Sequence, residues 1–239
     1  MKVSLFVPCF VDAIYPNAAL AAARVIERLG HEVDFPEKQT CCGQPPFNTG
    51  MWDESREVAR RQLRVFEFCE TIVSISGSCG AMMKVFYPEL FKGDRDEAAA
   101  IAVSKMTHEF SDFLVNVLKV EDVGAVFHGR VTFHDGCHGL RELGLKAPPR
   151  RLLSHVSGLE LVEMKEAETC CGFGGMFSVK FPSISSAMGE VKCDSIAETG
   201  AETIVSNDSS CLMHIAGMLE RQGRPKRVLH LAEVLENTA

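Results

Sequence analysis

The sequence predicts an α/β protein of two pseudo-symmetric repeated halves, each with a parallel sheet flanked by helices and with cysteines at the strand C-terminal ends. Three observations carry this. Short apolar, β-branched runs alternate with longer stretches of helical periodicity, the pattern of parallel βαβ units joined by right-handed crossovers. Eight of the ten cysteines fall into two sets of matching order and spacing. The 239 residues, 46% hydrophobic and 24% charged, also have an ordinary globular composition, with chain enough for one large domain or two small ones.

Taken in order, residues 3–7, 32–35 and 71–75 read as buried strands of the first half, with helices over 18–29 and 53–68 between them. In the second half 131–133, 159–164 and 202–205 read as strands, and 149–156, 183–198 and 211–221 as helices. Residues 94–120, rich in Ala, Asp, Glu and Phe, read as one long amphipathic helix bridging the halves, and 228–235 as a short closing strand or helix. The chain thus divides into 1–125, a first cysteine-rich half that includes the bridging helix, and 126–239, a second.

Cys9, Cys41, Cys42 and Cys79 recur as Cys137, Cys170, Cys171 and Cys211, displaced by 128, 129, 129 and 132 positions. A glycine follows each adjacent pair (Gly43, Gly172), and a Ser-rich turn precedes each last cysteine (Ser76-Gly77-Ser78, Ser209-Ser210). Every one of the eight stands after a strand-like run. Parallel sheets place their sites beyond the carboxyl ends of their strands, so thiols far apart in sequence converge.

The cysteines are too sparse for a disulfide-stapled secreted fold in a chain that can bury a core. The first residues carry a lysine and an apolar stretch, but Pro8, Asp12 and Pro16 interrupt it, and no apolar run approaches the ~18 residues of a membrane span. A cytoplasmic setting, where thiols stay reduced, is expected, with no direct membrane anchor. The balance of 25 Lys+Arg against 32 Asp+Glu, a net charge of -7, leaves no basic footprint for nucleic acid.

Four converging thiolates suit a tetrahedral zinc or an iron-sulfur cluster. The spacing favours the cluster: structural zinc sites use closely spaced cysteine pairs, whereas adjacent cysteines reach different irons of an extended cluster more easily than one small ion. Cys69 and Cys193, without counterparts in the other half, sit in helical patterns and read as packing. Gly172, Gly174 and Gly175 match neither a dinucleotide fingerprint nor a P-loop, and read as a loop that lets backbone approach a cofactor. Arg56, Arg60, Arg61 and Arg64 read as a solvated helix face.

The pattern Cys-xn-Cys-Cys-Gly-xn-Cys, present twice, resembles the cysteine-rich (CCG) domain pair of the heterodisulfide reductase B subunit, of the C subunit of anaerobic glycerol-3-phosphate dehydrogenase and of the iron-sulfur subunit of glycolate oxidase. With Phe133-His134-Asp135-Gly136-Cys137-His138-Gly139-Leu140-Arg141-Glu142-Leu143-Gly144 and Cys170-Cys171-Gly172-Phe173-Gly174-Gly175-Met176-Phe177-Ser178, the chain is similar over essentially its whole length to the lactate utilization protein A family. The resemblance implies a cytoplasmic iron-sulfur subunit that works with two partners, a ferredoxin-like iron-sulfur subunit and a third subunit, to oxidise L-lactate to pyruvate. It also implies that Cys9, Cys41, Cys42, Cys79, Cys137, Cys170, Cys171 and Cys211 bind the cofactor, one or two iron-sulfur clusters of 4Fe-4S type. The heterodisulfide reductase pattern ends in Cys-x-x-Cys. Here Met82 and His214 stand where a fifth sulfur would be, so an ordinary cluster, one with an open iron, and one ligated by His214 are all compatible with the sequence. His134 and His138 flank Cys137, and His138 joins His214 as a candidate metal ligand. No general base, nucleophile triad or nicotinamide fingerprint is visible, which leaves the catalytic residues unassigned. The competing classes are a zinc-stabilised interaction scaffold and a thiol-redox or heterodisulfide subunit of another oxidoreductase complex.

Overall fold

The computed structural model describes residues 1–238. Two four-stranded, fully parallel sheets account for its strands. The first contains β1 (Lys2–Phe6), β2 (Glu32–Asp34), β3 (Ile72–Ser74) and β4 (Thr107–Glu109), side by side as β2-β1-β3-β4. The second contains β5 (Val126–Phe133), β6 (Ser157–Leu161), β7 (Thr203–Ser206) and β8 (Arg227–His230), as β6-β5-β7-β8. The same order twice is the repeat expected from the cysteines. In each sheet the direction of winding reverses between the first and third strands, and the crevice at such a switch point is where open α/β sheets bind ligands.

Helices make the connections. The first half carries α1 (Cys9–Ile14), α2 (Pro16–Arg28), α3 (Gln44–Asn48), α4 (Trp52–Val65), α5 (Gly77–Ala81), α6 (Tyr87–Leu90), α7 (Glu97–Met106) and α8 (Phe110–Asp112), with π-helical turns at Met82–Phe86 and Phe113–Val117. The second carries α9 (Cys137–Leu143), α10 (Ala147–Ser154), α11 (Met176–Lys180), α12 (Pro182–Glu198), α13 (Ser209–Arg221) and α14 (Leu231–Glu236).

Strand alternation sorts side chains into three cores. Val3, Leu5 and Val73 of the first sheet face Val131, Phe133 and Val205 of the second, and α2 and α14 seal this shared core with Ala22, Val25, Leu231 and Leu235. The opposite faces pack outward, Phe6 and Ile72 against Leu63 and Phe66, and Ile204 against Leu212 and Ile215. Burying each such side chain is worth about 1.5–3 kcal/mol, so the common core fixes one half on the other. Alanines of α2 let α14 approach closely, and Arg28 on its rim donates to the carbonyls of Leu235 (2.6 Å) and Glu236 (2.8 Å).

The single bridging helix expected over 94–120 is broken. β4 interrupts it, pairing Thr107 with Ile72 and Glu109 with Ser74. A continuous helix would leave the outer edge of β3 without ladder partners, and β-branched Thr107 suits the pleated strand better than a helix interior. The closing segment 228–235 is both things expected of it in turn, strand β8 and then helix α14. His230 joins them in a capping box: its Nδ1 accepts from the Ala232 amide (3.1 Å), and the Glu233 carboxylate accepts from the His230 amide (2.7 Å). Each half therefore has a fourth strand: β8 is one of the two readings of 228–235, whereas β4 is not among the strands read from sequence.

Candidate metal centre

All eight repeated cysteines line one cavity of about 220 Å³ at the carboxyl ends of the strands. The switch-point strands supply the ends of each set. Cys9 opens α1 after β1, and Cys79 lies in the first turn of α5 after β3; Cys137 opens α9 after β5, and Cys211 lies in the first turn of α13 after β7. The adjacent pairs come in on the loops after β2 and β6. Within each set the thiols neighbour one another in the same order, Cys9–Cys41–Cys42–Cys79 and Cys137–Cys170–Cys171–Cys211. Cys42 Sγ is 3.3 Å from Cys79 Sγ.

This crowding divides the thiols electrostatically. Cys41 is held well below the ordinary thiol range by hydrogen bonds from Cys42 and Cys9 and by the Gly43 amide at 3.5 Å. Cys170 is lowered likewise by Cys137 and Cys171 and by the Gly172 amide at 3.4 Å. Their partners move the other way, Cys9 and Cys42 because of Cys41, Cys137 and Cys171 because of Cys170. Each set thus concentrates negative charge on its second cysteine, beside helix starts whose free N–H groups favour anions.

The CCG glycine has a packing reason. Gly43 sits at φ +86 and Gly172 at φ +93, both left-handed, and a Cβ there would stand 3.1 Å from the Ser55 carbonyl of α4 or 2.5 Å from the Ser185 carbonyl of α12. Both serines are buried, and the Ser55 hydroxyl donates to the Gly43 carbonyl (2.9 Å). Behind each pair, one buried side chain of the same helix gathers the loop's carbonyls. Gln62 Nε2 donates to Thr40, and Lys192 Nζ donates to Glu166 and, at 3.3 Å, to Ala167. Of the second loop's remaining glycines, Gly174 and Gly175 line the cavity.

The halves lock together beside the thiols. Asp208, buried ahead of α13, accepts from the Ser78 amide (2.8 Å) and from the hydroxyls of Ser76 (3.3 Å), Ser78 (3.2 Å) and Ser210 (3.0 Å). A carboxylate of one half therefore caps a helix of the other, and burial holds its carboxyl above the usual range. Helices α5 and α9 cross where Gly77 meets Gly139, closely enough that a Cβ at Gly77 would lie 3.1 Å from Gly139 Cα. Asp208 is a site residue that the cysteine pattern does not reveal.

The histidines fall in three places. His138 lines the cavity, edge-on to Phe86 at 6.0 Å between ring centroids. His214 lies behind Phe173, a cavity-lining ring 6.0 Å away, with a buried Nε2 that has no hydrogen-bond partner. His134 is fully buried with neither ring nitrogen hydrogen-bonded, and a ligand atom of its ring lies within 4.8 Å of the Cys171 and Cys211 thiols. Cys193 is buried in the outer core of the second half. Cys69 is half-buried, accepting from the Ser4 hydroxyl at 3.0 Å. Of the helix-α4 arginines, Arg60 pairs with Asp94 and Asp96 and Arg56 with Asp53.

Clustered soft sulfur, one low thiol per set and an unpartnered buried imidazole together fit a thiophilic metal. The cysteine-rich domain (CCG) model matches residues 3–84 and 131–216. Lactate utilization protein A of Geobacillus sp. (strain WCH70) is 49% identical over 238 residues, 99% of this chain and 100% of that protein. The protein of that name from Geobacillus kaustophilus is 50% identical, covering 98% of each chain, and that from Bacillus subtilis (strain 168) 47%, covering 99% and 100%. Among solved structures, a hypothetical protein from Helicobacter pylori shares the fold at TM-score 0.60 with 10% identity; the alignment covers 98% of this chain and 48% of that one. With both halves matched by the cysteine-rich domain and nearly half of all residues shared along the full length, the chain belongs to the lactate utilization protein A family.

Proposed function

We propose that this chain is the iron-sulfur subunit of a cytoplasmic, multi-protein system that oxidises L-lactate to pyruvate, built from two modules, 1–125 and 126–239. The observation that carries the reading is the convergence of eight cysteines from both halves on one cavity. In it Cys9, Cys41, Cys42 and Cys79 hold one 4Fe-4S group and Cys137, Cys170, Cys171 and Cys211 a second. Such groups, when bound, accept and pass on single electrons. The chain's own residues hold the thiolates in place and balance their charge: the Gly43 and Gly172 amides donate to sulfur, and the cysteine-bearing helices begin beside it. Oxidation of lactate releases an electron pair and two protons, and a ferredoxin-like subunit and a third subunit share that traffic. The relatives' shared name supports lactate as the substrate.

The test is iron and acid-labile sulfide per chain, with a visible spectrum, after anaerobic purification. The expected result is a brown protein holding both elements. Zinc without iron would instead make the chain a zinc-stabilised scaffold, a reading that the mixed grouping of His134, Cys171 and Cys211 also suits.

A further inference from the structure

His134 follows the last residue of β5, at the mouth of the switch point. Strand alternation turns it away from the shared core that Val131 and Phe133 face, toward the thiols of the second set. Its backbone is pinned on both sides: the amide donates to the Val205 carbonyl (2.9 Å), and its carbonyl accepts from the Ser206 hydroxyl (2.9 Å). The side chain has no such partner. An imidazole buried with both nitrogens unpaired forfeits the hydrogen bonds it makes to water, which disfavours its burial. The structure recovers that cost if one nitrogen has a partner that the protein chain does not supply. At the corresponding place in the first half stands Phe6, which needs none and packs edge-on to Phe66 at 5.9 Å.

We propose that His134 is a nitrogen ligand of the metal group in the second half, forming with Cys171 and Cys211 a mixed nitrogen-sulfur corner, while the first half is held by thiolates alone. The inference rests on the iron-sulfur reading and names a donor for the second set, which like the first lacks a fifth sulfur. The ligand atoms of these three side chains lie within 4.8 Å of one another, the reach of a common first-row metal ion. Imidazole ligation of iron in place of thiolate has a precedent in other iron-sulfur proteins, where it raises the potential.

The experiment uses the full chain with nitrogen-15 histidine, purified and reduced anaerobically, and reads the hyperfine coupling of nitrogen to the paramagnetic cluster alongside iron and sulfide content. A histidine nitrogen coupling is expected in the unaltered protein. It persists in His138→Phe and His214→Phe and disappears in His134→Phe, which installs the residue of the first half. Bound iron and sulfide without any nitrogen coupling overturns the proposal, as does a coupling lost with His138 or His214; both outcomes are read even if His134→Phe fails to fold. Absence of iron and sulfide overturns the reading of function itself.

Discussion

The two halves of the molecule agree wherever a thiol must be placed and differ wherever its surroundings carry charge. Gly43 and Gly172 adopt the same left-handed turn, Ser55 of α4 and Ser185 of α12 press on them in the same way, and the thiols neighbour one another in the same order. Around this frame Phe6 is replaced by His134, Gln62 by Lys192 and Met82 by His214. The first half surrounds its thiols with neutral, mostly apolar groups, and the second with imidazoles and a buried ammonium. Placement depends on backbone geometry that few residues satisfy, so it is duplicated. The electronic properties of a metal depend on the groups around the ligands, and there the copies have room to diverge.

The comparison breaks most completely at the ligands. Cys171→Ala is expected to abolish metal binding in the second half and leave the first intact, and Cys42→Ala to do the converse. Cys193→Ala, in the outer core, costs only packing, about 1 kcal/mol, with iron content unchanged. Metal analysis of the three variants checks this; equal iron loss from Cys171→Ala and Cys193→Ala would mean that the cysteines are wrongly sorted.

The glycines come next. Alanine in the left-handed region costs about 1–2 kcal/mol at either site. At Gly172 the added Cβ also meets the Ser185 backbone at 2.5 Å, against 3.1 Å from Ser55 at Gly43. Gly172→Ala is therefore expected to destabilise by about 3–4 kcal/mol and Gly43→Ala by about half that, since overpacking adds about 1–3 kcal/mol where backbone must move. Denaturant unfolding of the two variants measures the difference, and equal losses would remove the asymmetry.

What the sequence makes legible follows the same division. The parallel architecture, the repeat and the eight cavity thiols are visible because β-branched runs and paired cysteines are local patterns. Three things are not. Strand β4 is hidden within a segment of helical composition, since only the open edge of β3 calls it into being. Helices α1, α5 and α9, which present the cysteines, are too short to show a period. The pairing of Asp208 with Ser76 and Ser78 joins residues more than a hundred positions apart, and no local signal marks it.

A smaller contrast lies at the ends of the fourth strands. Glu109 and His230 hold corresponding places, and each caps the next helix, Glu109 accepting from the amides of Ser111 (2.8 Å) and Asp112 (3.2 Å). Burial pushes Glu109 up to about 7 and His230 down to about 4. The raised carboxyl stabilises the fold fully below its ordinary 4.5, and that contribution is lost as pH rises through about 7. The depressed imidazole contributes fully above its ordinary 6.5 and loses that contribution as pH falls through about 4. Relative to the unaltered protein, Glu109→Gln should gain about 2–3 kcal/mol between the acid and neutral ends of that window, and His230→Asn should gain toward acid. Unfolding midpoints against pH give the two difference curves, and curves of the same slope would refute the opposition.

The smallest expected effect is the most direct reading of the charge difference. Lys192 and Gln62 do the same mechanical work, each donating to carbonyls of the loop that carries its adjacent cysteine pair. Burial draws the Lys192 ammonium below its usual range, while the Asp135 carboxylate and the thiols of Cys171 and Cys211 hold the proton on it. A cation there stabilises the more negative, reduced form of a metal group on those thiols. Lys192→Gln keeps the loop contact and removes the charge, making the second half electrostatically like the first. Screened by the surrounding protein, the loss is on the order of 1–2 kcal/mol, or roughly 40–90 mV for a one-electron couple, toward lower potential. Anaerobic redox titration should show the second centre moving down toward the first with the first unmoved; a shift of both together, or of neither, would place the origin of their difference outside this pair of side chains.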